Sequence, residues 1–204
     1  MKYLVILAVI IVAIIYINQG DTNKHICQLR GDNIITIGDS IANGFGVENN
    51  NSFAIKSARL LNKNPIKMGI NGETSTGLLT RIDKALSSTN SIAAVFISIG
   101  GNDFLRNIDR NITESNLDKI VENTKKYTNC IVLLGIPSSV SGSILGSVSP
   151  IYDNIATKYN ILVESKSMTE ILKNRDLKVD QIHPNEAGHT IIANNIATLV
   201  KNNQ

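Results

Sequence analysis

The chain has little aromatic character: tryptophan is absent, and tyrosine and phenylalanine together make up 4% of its 204 residues. Its apolar mass is therefore mostly aliphatic, and its length suits one buried core rather than two ordinary domains. Neither sign of charge is in large excess, since the formal net charge is only +3, and no dense block of lysine or arginine occurs. We therefore expect a mildly basic surface and no nucleic-acid partner.

Cysteine is nearly absent, with Cys27 ahead of the predicted domain and Cys130 at the start of a predicted strand. An oxidising compartment would allow these two residues to pair, but the sequence does not say whether they approach within bonding distance. We favour two free thiols, and a disulfide is the alternative.

Apolar runs long enough to suggest a signal or a membrane segment are missing except at the N-terminus, where residues 3–17 form an unbroken apolar stretch behind Lys2. Such a run is either the apolar part of a secretory signal or a short membrane anchor. As a helix it would span ~22 Å, less than the ~30 Å hydrocarbon core, which favours a signal. No small-x-small cleavage pattern follows it, and on this ground we favour an uncleaved anchor.

The predicted organisation is a signal peptide or membrane anchor over residues 1–18, a tether over 19–30, and one domain over 31–204. Either interpretation of the N-terminus predicts export to the periplasm or another extracytoplasmic compartment. Retention of the segment would also attach the protein to the cytoplasmic membrane.

Short apolar runs alternate with amphipathic stretches along the rest of the chain. Strands are predicted at residues 34–37, 65–70, 92–99, 130–136 and 161–163, and helices at 52–61, 76–87, 113–127, 151–159, 168–173 and 186–200. This alternation is typical of an α/β domain with a parallel sheet and helices on both faces. The Ser- and Gly-rich connection at 138–149 is the one long loop, and we expect it beside the functional site.

A hydroxyl, a glycine turn and a side-chain amide follow three successive strands at the points where those strands end. Ser40 follows the first strand, Gly72 the second and Asn102 the third. Ligands of open parallel sheets bind beyond the carboxyl ends of the strands, so these three positions are expected at one edge.

A serine hydroxyl becomes a good nucleophile when an imidazole accepts its proton and a carboxylate orients that imidazole. His183 lies on the loop before the last predicted helix, where Pro184 favours an extended backbone, and Asp180 precedes it by three residues. Ser40, His183 and Asp180 are therefore predicted to be nucleophile, general base and orienting acid of a serine hydrolase.

Acyl transfer also requires hydrogen-bond donors for the oxyanion that forms on the attacked carbonyl. The predicted donors are the backbone N–H groups of Ser40 and Gly72 and the side-chain amide of Asn102. Glycine suits its position because the missing side chain lets a carbonyl group approach the backbone closely.

Other interpretations of these residues are weaker. His189 and Asp180 could share a metal ion, but His189 lies inside a predicted helix and no third ligand has suitable spacing, so no metal is expected. Gly44-Phe45-Gly46 lacks the third glycine of a dinucleotide-binding turn, and the Gly-x-Ser-x-Gly motif of α/β-hydrolases does not occur. Asp39 is assigned a structural role.

Four short motifs occur in order: Gly38-Asp39-Ser40, Asn71-Gly72-Glu73-Thr74-Ser75, Ile99-Gly100-Gly101-Asn102-Asp103 and Asp180-Gln181-Ile182-His183-Pro184. Over residues 33–200 the chain thereby resembles the GDSL or SGNH hydrolases. Within them it is most similar to the bacterial subgroup of thioesterase I and lysophospholipase L1-like arylesterases.

The resemblance implies a flavodoxin-like three-layer α/β/α sandwich around a central five-stranded parallel sheet. It implies the triad Ser40, His183 and Asp180, an oxyanion hole of Ser40, Gly72 and Asn102, and hydrolysis of carboxylic esters or thioesters without metal or cofactor. The expected partner is a small-molecule or lipid substrate of an arylesterase, acyl-thioesterase or lysophospholipase, and a monomer is expected. Alternatives are an O-acetyl esterase acting on envelope polysaccharide and a non-catalytic lipid- or glycan-binding module.

Overall fold

A computed structural model of the protein describes residues 27–138 and 148–204. The apolar run at 3–17 and most of the predicted tether lie outside this range, as do residues 139–147 of the predicted loop. Within the two described ranges, no helix combines the length and apolar character needed to cross a membrane.

The core of the fold is one parallel sheet. Its strands are β1 (Asn33–Gly38), β2 (Asn64–Gly69), β3 (Ile92–Ser98), β4 (Ile131–Leu134) and β5 (Leu162–Glu164). They are arranged in the order β2-β1-β3-β4-β5, which is the flavodoxin-like order. The predicted five-stranded parallel sheet is therefore confirmed.

Helices cover both faces of the sheet. They are α1 (Ser40–Asn43), α2 (Phe53–Leu60), α3 (Ser75–Ser87), α4 (Gly101–Leu105), α5 (Arg110–Thr124), α6 (Pro150–Tyr159), α7 (Ser167–Lys173) and α8 (Glu186–Lys201). Helix α2 packs against α8, and α3 packs against α5, which in turn contacts α6. These two groups form the outer layers of the predicted α/β/α sandwich.

The central strands are buried because helices cover them on both sides. Every residue of β4 is buried, as are all residues of β1 and β3 except the first of each. This burial explains the continuous apolar run at 92–99, since a central parallel strand has no solvent face. Strand β2 lies at the sheet edge and is only partly covered.

Helix α5 begins earlier than the sequence predicted. The Asp109 carboxylate accepts a hydrogen bond from the Asn111 N–H at 2.8 Å and caps the helix, which then runs from Arg110 to Thr124 instead of 113–127. Aspartate at this position satisfies one of the unpaired N–H groups of the first turn.

The preference for two free thiols is wrong, because Cys27 and Cys130 form a disulfide. The Cys27 N–H donates to the Asn203 carbonyl at 2.8 Å, which holds this residue against the end of the last helix and next to the start of β4. Both cysteines are buried in the core. The residues immediately before β1 are thus attached to the sheet at the end opposite the carboxyl ends of its strands.

Candidate active site

A glycine makes the turn out of β1 possible. Gly38 has φ +137°, and a Cβ atom at this position would overlap the carbonyl oxygen of Ser98 on the neighbouring strand. Asp39 then caps α1 by accepting a hydrogen bond from the Ile41 N–H at 3.0 Å. The Gly-Asp pair therefore places Ser40 on the first residue of a helix at the carboxyl end of the sheet.

The hydroxyl of Ser40 meets the imidazole of His183 across the site. Ser40 Oγ lies 2.9 Å from His183 Nε2, although the residues are 143 positions apart in the chain. On the other side of the ring, His183 Nδ1 lies 2.7 Å from Asp180 Oδ2. The structure thus links the three residues of the predicted triad by two consecutive hydrogen bonds.

The loop that carries Asp180 is built around this carboxylate. Its Oδ1 accepts hydrogen bonds from the Ile182 N–H at 2.9 Å and the His183 N–H at 2.8 Å. Partial burial by itself would raise the pKa of Asp180, but these bonds and the contact with the His183 ring lower it below its ordinary value. Asp180 therefore stays ionised and can hold an Nδ1–H tautomer of His183.

Phe45 is a site residue that sequence reasoning missed. Its ring lies against the His183 ring, with centroids 4.4 Å apart and planes inclined by 42°. Two glycines with positive φ flank it, Gly44 at +76° and Gly46 at +87°. An isolated aromatic residue between two glycines was the available signal, because such a segment can form a tight turn that presents one side chain.

The other two predicted oxyanion donors are linked to each other. Gly72 has φ +76°, a left-handed conformation that favours glycine, and its carbonyl accepts a hydrogen bond from Arg106 Nη2 at 2.9 Å. The Asn102 side-chain amide donates to the carbonyl of Glu73, the next residue, at 3.0 Å. An amide carries two hydrogens, so this bond fixes the orientation of the second one.

Ser40, His183 and Asn102 line one narrow pocket with a free volume of about 30 Å³. Its apolar wall consists of Ile41, Leu105, Ile136, Met168, Leu172 and Ile182. A polar reacting edge facing an aliphatic wall fits an ester, which has a polar carbonyl group and an apolar acyl chain.

Asp39 is the buried acid next to the serine. Its side chain is almost fully enclosed, and burial raises its pKa from 3.8 to about 7 despite hydrogen bonds from Ile41 and Ser98. The folded protein therefore binds a proton here that the unfolded chain releases above pH 3.8. This bound proton contributes to the free energy of unfolding. The contribution is fully present below pH 3.8 and is lost as the pH rises through about 7.

His189 makes the free energy of unfolding depend on pH in the opposite direction. It is buried in α8, its Nδ1 accepts a hydrogen bond from the Phe53 N–H at 3.2 Å, and burial lowers its pKa from 6.5 to about 4. The contribution of this neutral histidine to the free energy of unfolding is present above pH 6.5 and is lost as the pH falls through 4.

In the described part of the chain, no group of three or more His, Cys, Asp or Glu side chains is placed to hold a metal ion.

Replacement of Asp39 by asparagine should therefore change how stability depends on pH. We expect the free energy of unfolding of Asp39→Asn, relative to wild type, to rise by about 1.4 kcal/mol per pH unit between pH 4 and 7. Asparagine can still cap Ile41, so the change isolates the titration. Urea unfolding at stepped pH measures it, and a constant difference across this range would contradict the assignment.

Comparison with known proteins places the chain in a family of ester hydrolases. Residues 36–191 match the model of the GDSL-like lipase/acylhydrolase family, and the chain belongs to this family. The prediction that the protein is an enzyme of the GDSL esterase and lipase type is therefore confirmed. Over 167 residues the chain is 27% identical to thioesterase 1/protease 1/lysophospholipase L1 of Escherichia coli K12, covering 79% of this chain and 80% of that protein.

Solved structures agree on the fold. The psychrotrophic esterase EstA from Pseudoalteromonas sp., inhibited by monoethylphosphonate, matches with a TM-score of 0.70 at 22% identity, covering 84% of this chain and 97% of that one. A catalytic mutant of an acetylxylan esterase from Geobacillus stearothermophilus matches with a TM-score of 0.68 at 21% identity, covering 84% and 94%. At these identities the likeness establishes the α/β/α fold alone.

Proposed function

We propose that the protein is a serine esterase that hydrolyses carboxylic esters or thioesters through an acyl-serine intermediate. The observation that carries the proposal is the hydrogen-bonded row from Ser40 Oγ to His183 Nε2, at 2.9 Å, and from His183 Nδ1 to Asp180, at 2.7 Å. Both distances lie within the range that proton transfer between nucleophile and base requires.

In the first half of the reaction, Ser40 Oγ forms a bond to the substrate carbonyl carbon while His183 Nε2 takes the hydroxyl proton. The electron pair of the carbonyl double bond moves to its oxygen. Asp180 stabilises the imidazolium through Nδ1–H without taking the proton itself.

The new oxyanion is bound by the Ser40 and Gly72 N–H groups and by the second hydrogen of the Asn102 amide. Support for Asn102 comes from its place in the pocket wall beside Ser40 and from its bond to Glu73, which fixes the amide plane. Donors held in place before the reaction stabilise developing charge without reorganisation.

Collapse of the tetrahedral intermediate breaks the bond to the leaving oxygen or sulfur, which receives the proton from His183. Water then attacks the acyl-serine, with His183 again accepting a proton, and releases the acid and a free Ser40 hydroxyl. The cycle consumes one water per bond and needs no external oxidant or reductant.

The apolar wall of the pocket supports an acyl group as its occupant, and the free volume of about 30 Å³ favours a short one. This size favours a second candidate function within the same chemistry, removal of O-acetyl groups from a sugar polymer. Arylesterase, thioesterase and lysophospholipase activities differ from it in leaving group and chain length rather than in mechanism.

A substrate panel tests both the class and the preference. We expect the full chain to hydrolyse p-nitrophenyl acetate and butyrate faster than the decanoate, because a long acyl chain would extend out of this small pocket into solvent. An acyl-coenzyme A thioester, a lysophospholipid and an acetylated xylan then compare leaving groups. Absence of any ester hydrolysis by folded protein would contradict the proposal, and tight binding without product would favour a binding module.

We further propose that residues 31–204 act as the hydrolase domain and that the apolar run at 3–17 directs the chain out of the cytoplasm. Support comes from the Cys27–Cys130 disulfide, because disulfides persist mainly in oxidising compartments. The intact mass of the exported protein distinguishes a cleaved signal from a retained anchor, and a cytoplasmic protein with reduced cysteines would contradict export.

A further inference from the structure

We infer that the ion pair between Glu73 and Arg81 is a positioning device that joins the three loops of the proposed oxyanion hole. The inference rests on the proposed function, since it assigns these two residues to the same site. Neither residue belongs to the triad or to the predicted donors, and neither is placed to touch the reacting atoms.

The pair is bidentate and largely enclosed. Arg81 Nε donates to one carboxylate oxygen of Glu73 at 2.6 Å, and Arg81 Nη2 donates to the other. The Glu73 side chain is 6% exposed and that of Arg81 is 23% exposed. Two parallel bonds fix the plane of the guanidinium group relative to the carboxylate.

The same guanidinium group also holds the ends of two strands. Arg81 Nη2 donates to the Met68 carbonyl near the end of β2 at 2.8 Å, and it lies 3.4 Å from the Gly38 carbonyl at the end of β1. Gly38 comes two residues before Ser40. One side chain of α3 therefore contacts the strand ends that lead to two of the three proposed donors.

The backbone of Glu73 provides the link to the third donor. Its carbonyl accepts the hydrogen bond from the Asn102 amide at 3.0 Å, and its N–H donates to the Ile70 carbonyl at 3.1 Å, closing the turn that contains Gly72. The position of Glu73 therefore determines the direction of both the Gly72 N–H and the free hydrogen of Asn102.

A contribution to stability does not by itself explain why Glu73 and Arg81 are buried as an ion pair. Buried ion pairs are often no more stabilising than apolar residues of similar volume, because both charges lose their hydration. Directional bonds to a carboxylate and to backbone carbonyls at once are what arginine provides and lysine does not. The geometry thus suits the placement of loops more than the stabilisation of a helix.

Substitution of Arg81 should accordingly lower kcat more than it changes KM. For Arg81→Ala we expect kcat per active site to fall by about 10- to 100-fold, with KM for p-nitrophenyl butyrate within about threefold of wild type. Arg81→Lys keeps the charge but loses the bidentate geometry, so its kcat should lie between those of Arg81→Ala and wild type. Glu73→Gln should behave like Arg81→Lys.

Active sites are counted by titration with a fluorophosphonate, so that misfolded molecules do not contribute to kcat. Arg59→Ala removes an exposed arginine whose one side-chain hydrogen bond within the described ranges is to Asn50, and it should leave kcat unchanged. Val200→Ala opens a cavity in the last turn of α8, away from the site, and should lower the melting temperature without changing kcat per active site.

Added guanidinium provides a readout that a purely structural role would not produce. Millimolar guanidinium should restore part of the kcat of Arg81→Ala and have no such effect on Val200→Ala. A normal kcat per active site in the Arg81 variants, whatever their melting temperatures, would overturn the inference alone. Failure of the wild-type protein to react at Ser40 would overturn the proposed function and this inference together.

Discussion

Ser40→Ala is expected to lower the turnover of p-nitrophenyl butyrate by at least about 10³-fold, leaving only the catalysis that binding and the oxyanion hole provide. The variant removes the atom that we propose bonds to the acyl carbon, and neither His183 nor water can replace it in the same position. The only side-chain hydrogen bond of Ser40 among the described residues is to His183, so the fold should be unaffected.

The measurement is the initial rate of p-nitrophenol release at matched concentrations of folded protein. Ser88→Ala is the control, because Ser88 is an exposed serine directly after α3 whose hydroxyl, among the described residues, donates only to the Ala85 carbonyl. Equal rates for Ser40→Ala and wild type would show that the hydrolysis does not pass through this serine.

Asn102→Ala is expected to lower kcat by about 10²- to 10³-fold, the usual effect of removing one side-chain donor from an oxyanion hole. KM should change little, because the bond forms to the charged oxygen of the transition state more than to the neutral carbonyl of the substrate. The loss has two parts, the missing donor itself and the release of the Glu73 carbonyl that Asn102 now binds.

Steady-state kinetics on p-nitrophenyl butyrate separate kcat from KM for this variant. Asn102→Asp keeps the shape of the side chain but replaces a donor by a negative charge, so its kcat should be at least as low. Asn123→Ala is the control, since Asn123 lies on α5 and accepts a hydrogen bond from Lys126 at the surface. A raised KM with unchanged kcat would assign Asn102 to substrate binding instead.

The sequence predicted the sheet from local signals, and it predicted the meeting of Ser40 with His183 from the chemistry of a triad and the resemblance of four motifs to GDSL hydrolases. The aliphatic runs defined the strands, the glycines and prolines marked their ends, and the carboxyl ends of parallel strands share one edge. Asp180 could be paired with His183 because a spacing of three residues lets a short loop return its carboxylate to the ring.

Contacts that arise only on folding were not predictable in this way. Arg81 lies on an ordinary amphipathic helix, and nothing in the local sequence distinguishes it from the lysines and arginines that are exposed on other helices. The two glycines around Phe45 indicate a turn but not its contact with His183, 138 positions away, and the bond of Cys27 to Asn203 depends on where the last helix ends. Each of these contacts is set by tertiary packing, which single-residue patterns do not encode.

The most direct test of the proposed triad is the reaction of the full chain with a fluorophosphonate, followed by peptide mass spectrometry. Ser40 Oγ should displace fluoride and form a stable phosphonate ester, so that one adduct appears on the peptide containing Ser40. His183→Ala should react far more slowly, because no base accepts the hydroxyl proton. A folded wild-type protein without this adduct, or with the adduct on another serine, would contradict the account.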